Sequence, residues 1–175
     1  MPFLIAMLYV AMSFGPLSQD NPSAEWNKKS TLNTDRKVEF PGIVLEAGVY
    51  VVKLKEGGER RSLVQIFNQA ETQVLATAVA VPDHRVRPED DSEFTFYEIK
   101  RDAPSPVHSW FYSGDLVGLE FVYPKARAKE IARATGDYVM ASNTTKDGVI
   151  VAVTPNGNEI VIDDPAPKIA RRKPQ

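Results

Sequence analysis

The chain has 175 residues, with 21 basic and 23 acidic side chains, a formal net charge of −2 and no cysteine. The absence of cysteine excludes thiol catalysis, thiolate metal sites and disulfide scaffolding. The near-neutral charge gives no electrostatic footprint for nucleic acid, so we predict no nucleic-acid partner. A folded part of about 130 residues buries roughly two thirds of its unfolded surface, which allows a core without metal or disulfide support. We predict no cofactor.

The N-terminus begins with an uncharged apolar run from Phe3 to Phe14. A run of about a dozen residues is too short to span a bilayer as a helix, but it fits the apolar region of a signal peptide. We predict that residues 1–14 are an export signal whose start is truncated or misplaced, because the basic region is missing. The alternative is a buried N-terminal strand or helix. Residues 15–35 are rich in Pro, Ser, Asn and charge, and are predicted to be a linker.

The main domain is predicted to span residues 36–163. It opens with a strand in which Tyr50, Val52 and Leu54 point to one face, as expected for a half-buried strand. A tyrosine just after a turn glycine, here Gly48, can bury its ring and return its hydroxyl to a turn carbonyl. We therefore predict that Tyr50 is an architectural residue, and that its strand forms a hairpin with residues 62–67.

The remaining elements are also mostly β. Strands are predicted, in chain order, in residues 72–82, 92–100, 107–112 and 118–123 and in a hairpin over 148–163. The first of these is nearly continuous in small and apolar residues, which is typical of a central strand covered on both faces. A helix is predicted between Pro124 and Gly136. The tail, residues 164–175, is basic and rich in proline, and is predicted to be disordered.

Several long stretches resemble a known group of proteins. They are VEFPGIVLEAGVYVVKL, LVQIFNQAETQVLATAVAVPDHRVRP, FTFYE and SWFYSGDLVGLEFVYPKARA, in this order over roughly residues 38–133. This pattern resembles uncharacterised small exported β-rich proteins of soil bacteria. The resemblance implies a secreted or envelope-associated domain. It carries over no catalytic residues, because that group has no assigned activity, and it leaves open whether residues 137–163 belong to the same domain.

A catalytic set can be assembled from few residue types. It would take His84 or His108 as base, Asp83 or Asp115 as orienting group, and Ser109 or Ser113 as nucleophile. No G-x-S-x-G elbow or other nucleophile motif accompanies these residues. We therefore predict no catalytic residue, and we keep as an alternative a hydrolase that uses loop carboxylates and histidines.

The polar loop over residues 83–91 ends in acidic side chains, and a further one follows it. The cluster consists of Glu89, Asp90, Asp91 and Glu93. Such a group can hold a calcium ion, but the spacing of an EF-hand loop is absent. Arg85 and Arg87 lie nearby in the chain and can neutralise it. We therefore interpret the cluster as a solvated loop and predict no metal site.

Aromatic residues provide the main candidate binding surface. Trp110 and Tyr112 share a face of one strand, and Phe121 and Tyr123 share a face of the next. If exposed, such a patch can stack on sugar rings or anchor a protein partner, and the alternative is that the four residues fill the core. The candidate binding residues are Trp110, Tyr112, Phe121, Tyr123, His84 and Arg85.

The predicted helix carries a basic stripe formed by Lys125, Lys129 and Arg133. These three residues are candidates for binding an anion such as a phosphate group. The alternative is an ordinary solvated face, because the apolar face of the helix is too small for a membrane-surface helix.

These observations predict an antiparallel β-sandwich of seven to nine strands with one short helix near the C-terminal third. We expect an exported, non-enzymatic module that binds a glycan or a protein partner in the cell envelope, without a transmembrane span in the mature chain. A purely structural envelope subunit is a further alternative. The residues leave the oligomeric state open.

Overall fold

The computed structural model describes residues 28–58, 60–100, 102–142 and 149–162. Within these ranges the chain is mostly β and contains one short helix, as predicted. The elements are β1 (Lys29–Thr34), β2 (Val38–Phe40), β3 (Ile43–Leu45), β4 (Gly48–Glu56), β5 (Ser62–Asn68), β6 (Val74–His84), β7 (Glu93–Phe96), β8 (Ser105–Phe111), β9 (Val117–Phe121), β10 (Tyr123–Pro124), α1 (Lys125–Thr135), β11 (Val139–Ser142), β12 (Val151–Val153) and β13 (Glu159–Val161). The predicted export signal and basic tail lie outside the described residues.

The described strands form two sheets. The larger has nine strands in the order β1-β4-β5-β6-β9-β8-β2-β3, with β7 also paired to β8, and the smaller has the order β10-β11-β12-β13. All pairs are antiparallel except β2 with β8 and β10 with β11. The thirteen strands exceed the seven to nine predicted, because several are only two or three residues long and leave little periodicity in the sequence.

The predicted linker is too long at its C-terminal end. Residues Lys29–Thr34, which the sequence analysis placed in the linker, form β1 and pair with β4. Ser30 and Leu32 are buried while their neighbours in the strand are more exposed. Leu32 is the one apolar residue of this strand, and all its other residues are polar. A single apolar inward side chain gives too weak a period-two pattern to predict a strand.

The hairpin of β4 and β5 forms as predicted. Its strands pair antiparallel, with Tyr50 opposite Asn68. The Tyr50 hydroxyl donates a hydrogen bond to the main-chain oxygen of Glu46 at 3.0 Å. The prediction that Tyr50 ties the strand to the preceding turn is therefore confirmed.

Strand β6 is the central strand that its composition predicted. Ala78 and Ala80 belong to the main apolar core, whereas Val79 and Val81 belong to a second apolar cluster with residues of the smaller sheet. All four side chains are buried. Coverage of β6 on both faces is therefore confirmed for residues 78–81, while the first four residues of the strand are more exposed. At residues 78–81 the two clusters are separated by the thickness of one strand.

Helix α1 begins after Pro124 and ends at Gly136, as predicted. Gly136 has a φ of +80°, and its N–H donates to the oxygen of Ala132, which is a left-handed helix end that glycine adopts without strain. Ile131 packs in the main core together with Val139 of β11. Since that core also contains residues of the larger sheet, β11 and β12 belong to the same packed unit.

No helix in the described ranges could cross a bilayer, because α1 has 11 residues.

An ion pair joins β2 to α1. Arg127 donates from Nε and Nη2 to the two carboxylate oxygens of Glu39, at 2.8 and 2.7 Å. Arg127 also contacts Glu130, and these carboxylates raise the pKa of the guanidinium above its ordinary value. The buried Tyr123 hydroxyl lies 2.8 Å from the main-chain oxygens of Glu39 and Val107, and burial raises its pKa well above the ordinary value. The helix, β2 and β8 are thereby held together.

We expect Arg127→Met to destabilise the fold by about 3 kcal/mol, the low end for breaking a buried pair, because one third of the Arg127 side chain is exposed. The Glu39 carboxylate would remain buried without its bidentate partner. Urea unfolding of the two proteins measures the difference. The matched control is Glu130→Gln, which removes only the exposed partner and should cost about 0.5 kcal/mol or less. Equal losses in both variants would contradict the assignment.

Candidate functional site

A cluster of polar side chains lies within the otherwise apolar centre of the larger sheet. Glu120 of β9 is opposite Val81 of β6 and Ser109 of β8, so the three side chains share one face of the sheet. Val81 belongs to the second apolar cluster, which places Glu120 at the border of that cluster. Glu120, Ser109 and His108 are all buried. Buried polar groups of this kind require hydrogen-bonding partners.

The register of β8 contains one extra residue at this position. Phe94 is opposite Trp110, and Phe96 is opposite Val107. The pairing thus advances by two residues along β7 but by three residues along β8. Between these two pairs, one residue of β7 faces two residues of β8, which defines a β-bulge that redirects side chains locally.

His108 and Ser109 occupy the bulge, opposite Thr95 of β7. The Thr95 hydroxyl oxygen accepts a hydrogen bond from the main-chain N–H of Ser109 at 3.1 Å and lies 3.3 Å from His108 Nδ1. In a regular strand, neighbouring side chains point to opposite faces. The bulge instead allows both His108 and Ser109 to reach partners in the polar cluster.

The cluster is connected by hydrogen bonds. His108 Nε2 lies 3.1 Å from Glu120 Oε1, and the Tyr97 hydroxyl donates to the same oxygen at 3.2 Å. The rings of Tyr97 and His108 are in contact, with centroids 4.5 Å apart. The Ser109 hydroxyl donates to Asp83 Oδ2 at 2.6 Å. The histidine and both carboxylates are therefore oriented by neighbouring side chains.

Asp83, His108 and Glu120 each offer one ligand atom, and these atoms lie within 4.8 Å of one another. In the described parts of the chain this is the one group of three or more metal-ligating side chains that converges. This group was not foreseen from the sequence, where only the acidic loop cluster was weighed as a metal site. Its three residues come from different strands and have no motif spacing.

The structure brings together only part of the catalytic set that was considered, and not favoured, from the sequence. Asp83, His108 and Ser109 are neighbours, but Ser109 donates directly to Asp83. Both ring nitrogens of His108 face other groups, on Thr95 and Glu120. A serine nucleophile is activated by a base that takes its proton, whereas the Ser109 hydroxyl directs its proton to Asp83.

The other members of that set lie elsewhere. His84 is exposed at the end of β6, and Ser113 and Asp115 belong to the turn between β8 and β9. Asp115 pairs with Lys28. Ser113 donates to the main-chain oxygen of Asp90. These contacts fix the turn and give the residues structural roles.

The acidic loop cluster is exposed and does not converge on a common point. Glu89 contributes its main-chain oxygen to the N–H of Gly114 at 2.8 Å, and Asp90 likewise uses its main-chain oxygen. The loop is therefore attached to the β8–β9 turn through its backbone, and of its four carboxylates Glu93 contacts the Arg85 guanidinium at 3.5 Å. This arrangement fits the interpretation of a solvated loop.

Arg85, a candidate binding residue, is used inside the structure. Its guanidinium donates to the main-chain oxygens of Asp115 at 2.7 Å and Tyr112 at 3.3 Å, and lies 5.0 Å from the ring centroid of Phe111. Its Nη1 is buried without a hydrogen bond, 3.5 Å from Glu93 Oε2. The prediction that Arg85 presents itself to a ligand is therefore corrected, since it holds the β8–β9 turn against β6.

The aromatic platform hypothesis is corrected as well. Trp110, Phe121 and Tyr123 are buried in the main core. Trp110 Nε1 donates to Ser30 Oγ at 2.9 Å, so even its polar group is satisfied internally. Tyr112 is half-buried, with the Lys28 ammonium 5.9 Å from its ring centroid. The physical reason is that the strand faces that carry these residues pack on the core. Core burial was the alternative that the sequence left open.

The basic stripe of α1 already has an anionic partner. Lys125 and Lys129 contact the two oxygens of Glu159 on β13, at 2.6 and 3.0 Å. These two lysines lower the pKa of Glu159. Arg133 is exposed at the end of the stripe. The prediction of a free anion-binding stripe is corrected to this extent, because two of its three charges hold the smaller sheet against the helix.

Apolar side chains are exposed at several places in the described residues, and three of them lie at the end of the β6–β9 ladder. Val86, Leu116 and Val117 are exposed by 96%, 48% and 46%. The backbone beside them is fixed by the pairing of His84 with Val117 and by a 3.0 Å hydrogen bond from the Arg85 N–H to the Leu116 oxygen. We call Val86, Leu116 and Val117 the loop-end surface. The sequence analysis named the loop itself but gave no reason to combine these three residues.

No protein-family model, curated protein or solved structure matches this chain. The resemblance to small exported β-rich proteins therefore stays an expectation.

We expect Trp110→Ala to destabilise the fold by about 3–5 kcal/mol, because it removes a side chain that is 2% exposed in the main core. Chemical denaturation followed by circular dichroism measures this loss. Phe96→Ala is the control, because Phe96 is 38% exposed and its truncation should cost far less. A Trp110→Ala loss below about 1 kcal/mol would contradict burial.

We expect Gly118→Ala to destabilise the fold by about 1–3 kcal/mol through overpacking. A Cβ at Gly118 would lie 2.4 Å from a ring atom of Phe111, the ring on which the Arg85 guanidinium rests. Gly57→Ala is the matched control, because its Cβ would meet only Leu54 at an ordinary 3.5 Å. Thermal unfolding compares the two variants, and similar midpoints would show that Phe111 moves aside without cost.

Proposed function

We propose that the chain is an exported, non-enzymatic β module that binds a protein partner of the cell envelope through the loop-end surface. The observation that carries the proposal is the exposed apolar side chains at one end of a hydrogen-bonded ladder. Scattered exposed apolar residues are normal, but a group on a rigid support is suited to contact a partner.

The apolar chemistry of this surface favours a protein over a glycan. Glycan recognition by stacking needs exposed aromatic rings, and three of the four aromatic candidates are buried in the core. Aliphatic side chains such as Val86 and Leu116 offer apolar area without a flat ring face. Such side chains are typical of protein–protein contacts from which water is expelled on association.

Charge next to the surface indicates the partner's chemistry. The acidic side chains of residues 89–93 are exposed beside Val86 in the chain. Charged residues at the rim of an interface mainly steer association and select the partner. We therefore expect a partner with an apolar contact region flanked by basic residues, and an association rate that falls with added salt.

Support for export comes from the sequence. The apolar run of Phe3 to Phe14 has the length and composition of a signal-peptide core. An envelope partner follows from this expectation, because an exported module meets its partners outside the cytoplasm.

We expect Val86→Asp to abolish partner recovery without affecting the fold, because a charge is placed where the contact must lose water. Val86 is almost fully exposed, so its substitution should change stability by about 0.5 kcal/mol or less. The experiment uses the tagged full chain as bait in an envelope extract of the organism that encodes it, and compares the proteins recovered by each variant.

The matched control is Val161→Asp on the edge strand β13, where the valine is 56% exposed and outside the loop-end surface. A protein recovered with the wild type and the control but lost with Val86→Asp would support the proposal. Equal recovery by all three baits, or recovery of a glycan instead of a protein, would overturn it.

A further inference from the structure

We propose that Asp83, His108 and Glu120 form a binding site for a divalent first-row transition ion, of which Zn²⁺ is the first to test. The proposal depends only on the buried polar cluster and is independent of the loop-end surface. One imidazole nitrogen and two carboxylate oxygens are ligands that Zn²⁺ takes in proteins, and Mn²⁺ accepts the same donors. Calcium and magnesium prefer oxygen alone, so the imidazole argues against them.

The positions of the three side chains suit a small ion. Their ligand atoms lie within 4.8 Å of one another. Ligand atoms on opposite sides of an ion bound at about 2.1 Å are roughly 4.2 Å apart, so a small contraction would close the site. His108 and Glu120 are buried, whereas Asp83 is partly exposed. The ion therefore has anchoring ligands inside the protein and a path of entry past Asp83.

Each of the three side chains is oriented by a hydroxyl group from a neighbouring residue. The pairs are Ser109 with Asp83 at 2.6 Å, Thr95 with His108 at 3.3 Å, and Tyr97 with Glu120 at 3.2 Å. Outer groups of this kind fix the rotamer and the tautomer of metal ligands, and removing one typically weakens binding about 10- to 100-fold. An arrangement that orients all three ligands is the second observation supporting the site.

The proposed ion would lie between the His108 imidazole and the Glu120 carboxylate. In the structure His108 Nε2 faces Glu120 Oε1 at 3.1 Å, a distance at which a proton lies between them. A metal ion takes the place of that proton, because it binds the neutral imidazole nitrogen and the carboxylate directly. Its charge also compensates two carboxylates that are partly or fully removed from water. In the metal-bound state the imidazole keeps its one proton on Nδ1, which faces the Thr95 hydroxyl oxygen at 3.3 Å.

The test uses the full chain, freed of metal with a chelator that is then removed, and titrated with Zn²⁺ by calorimetry. We expect binding of one ion per chain and a higher thermal unfolding midpoint when Zn²⁺ is present. Binding of Co²⁺ should give visible absorption bands whose intensity reports the coordination number. Calcium should produce neither change.

Variants assign the site. Asp83→Asn keeps the shape of a partly exposed side chain and should weaken Zn²⁺ binding about tenfold or more. His108→Gln should abolish the Co²⁺ bands. The control is His84→Gln: the chain has two histidines, and His84 is exposed outside the cluster, so this variant should bind like the wild type.

Three results would overturn the proposal. They are no Zn²⁺ binding by the wild type, unchanged binding by a folded Asp83→Asn variant, or loss of binding in His84→Gln. The first would show that the cluster is a hydrogen-bonded network alone, and the others would place the ion elsewhere. If His108→Gln fails to fold, Asp83→Asn still decides, since Asp83 is the least buried of the three residues.

Discussion

The buried carboxylate of Glu120 is the constraint on which the centre of the larger sheet depends. A charge removed from water is costly unless hydrogen bonds or an opposite charge compensate it. Glu120 meets this requirement through His108 of β8 and through Tyr97, the residue that follows β7. The bulge in β8 makes this possible, because it brings His108 to the cluster while Ser109 remains opposite Glu120. The polar cluster and the irregular register of β8 are therefore one feature.

The same strands also join the two apolar clusters. Strand β6 has alternate side chains in each cluster, and β9 runs directly into β10 of the smaller sheet. The hydroxyl of Tyr123 on β10 bonds to main-chain oxygens of β2 and β8, and Arg127 on α1 binds Glu39 on β2. Both sheets and the helix therefore share the centre of the molecule. Its exposed apolar loop end is supported by this rigid region, through Arg85 and its contacts with the β8–β9 turn.

Local patterns predicted those parts of the fold whose signals lie within a few residues. A glycine indicated the turn before Tyr50, and a continuous apolar run indicated the coverage of β6. A proline and a glycine marked the two ends of α1. Strand β1 was missed because Leu32 is its only large apolar inward residue. The burial of Trp110 was left open, because alternation assigns a residue to a face but does not state which face meets the core.

The candidate metal site could not be predicted from local sequence patterns at all. Asp83, His108 and Glu120 lie on three strands, and only the register of those strands brings them within 4.8 Å. By itself the sequence determined a mostly β domain with one short helix, the absence of thiol chemistry and the signal-like N-terminal run. The tertiary structure alone decided which polar residues meet and which aromatic residues are buried. The reason is that strand pairing and a single bulge join residues whose separation along the chain carries no pattern.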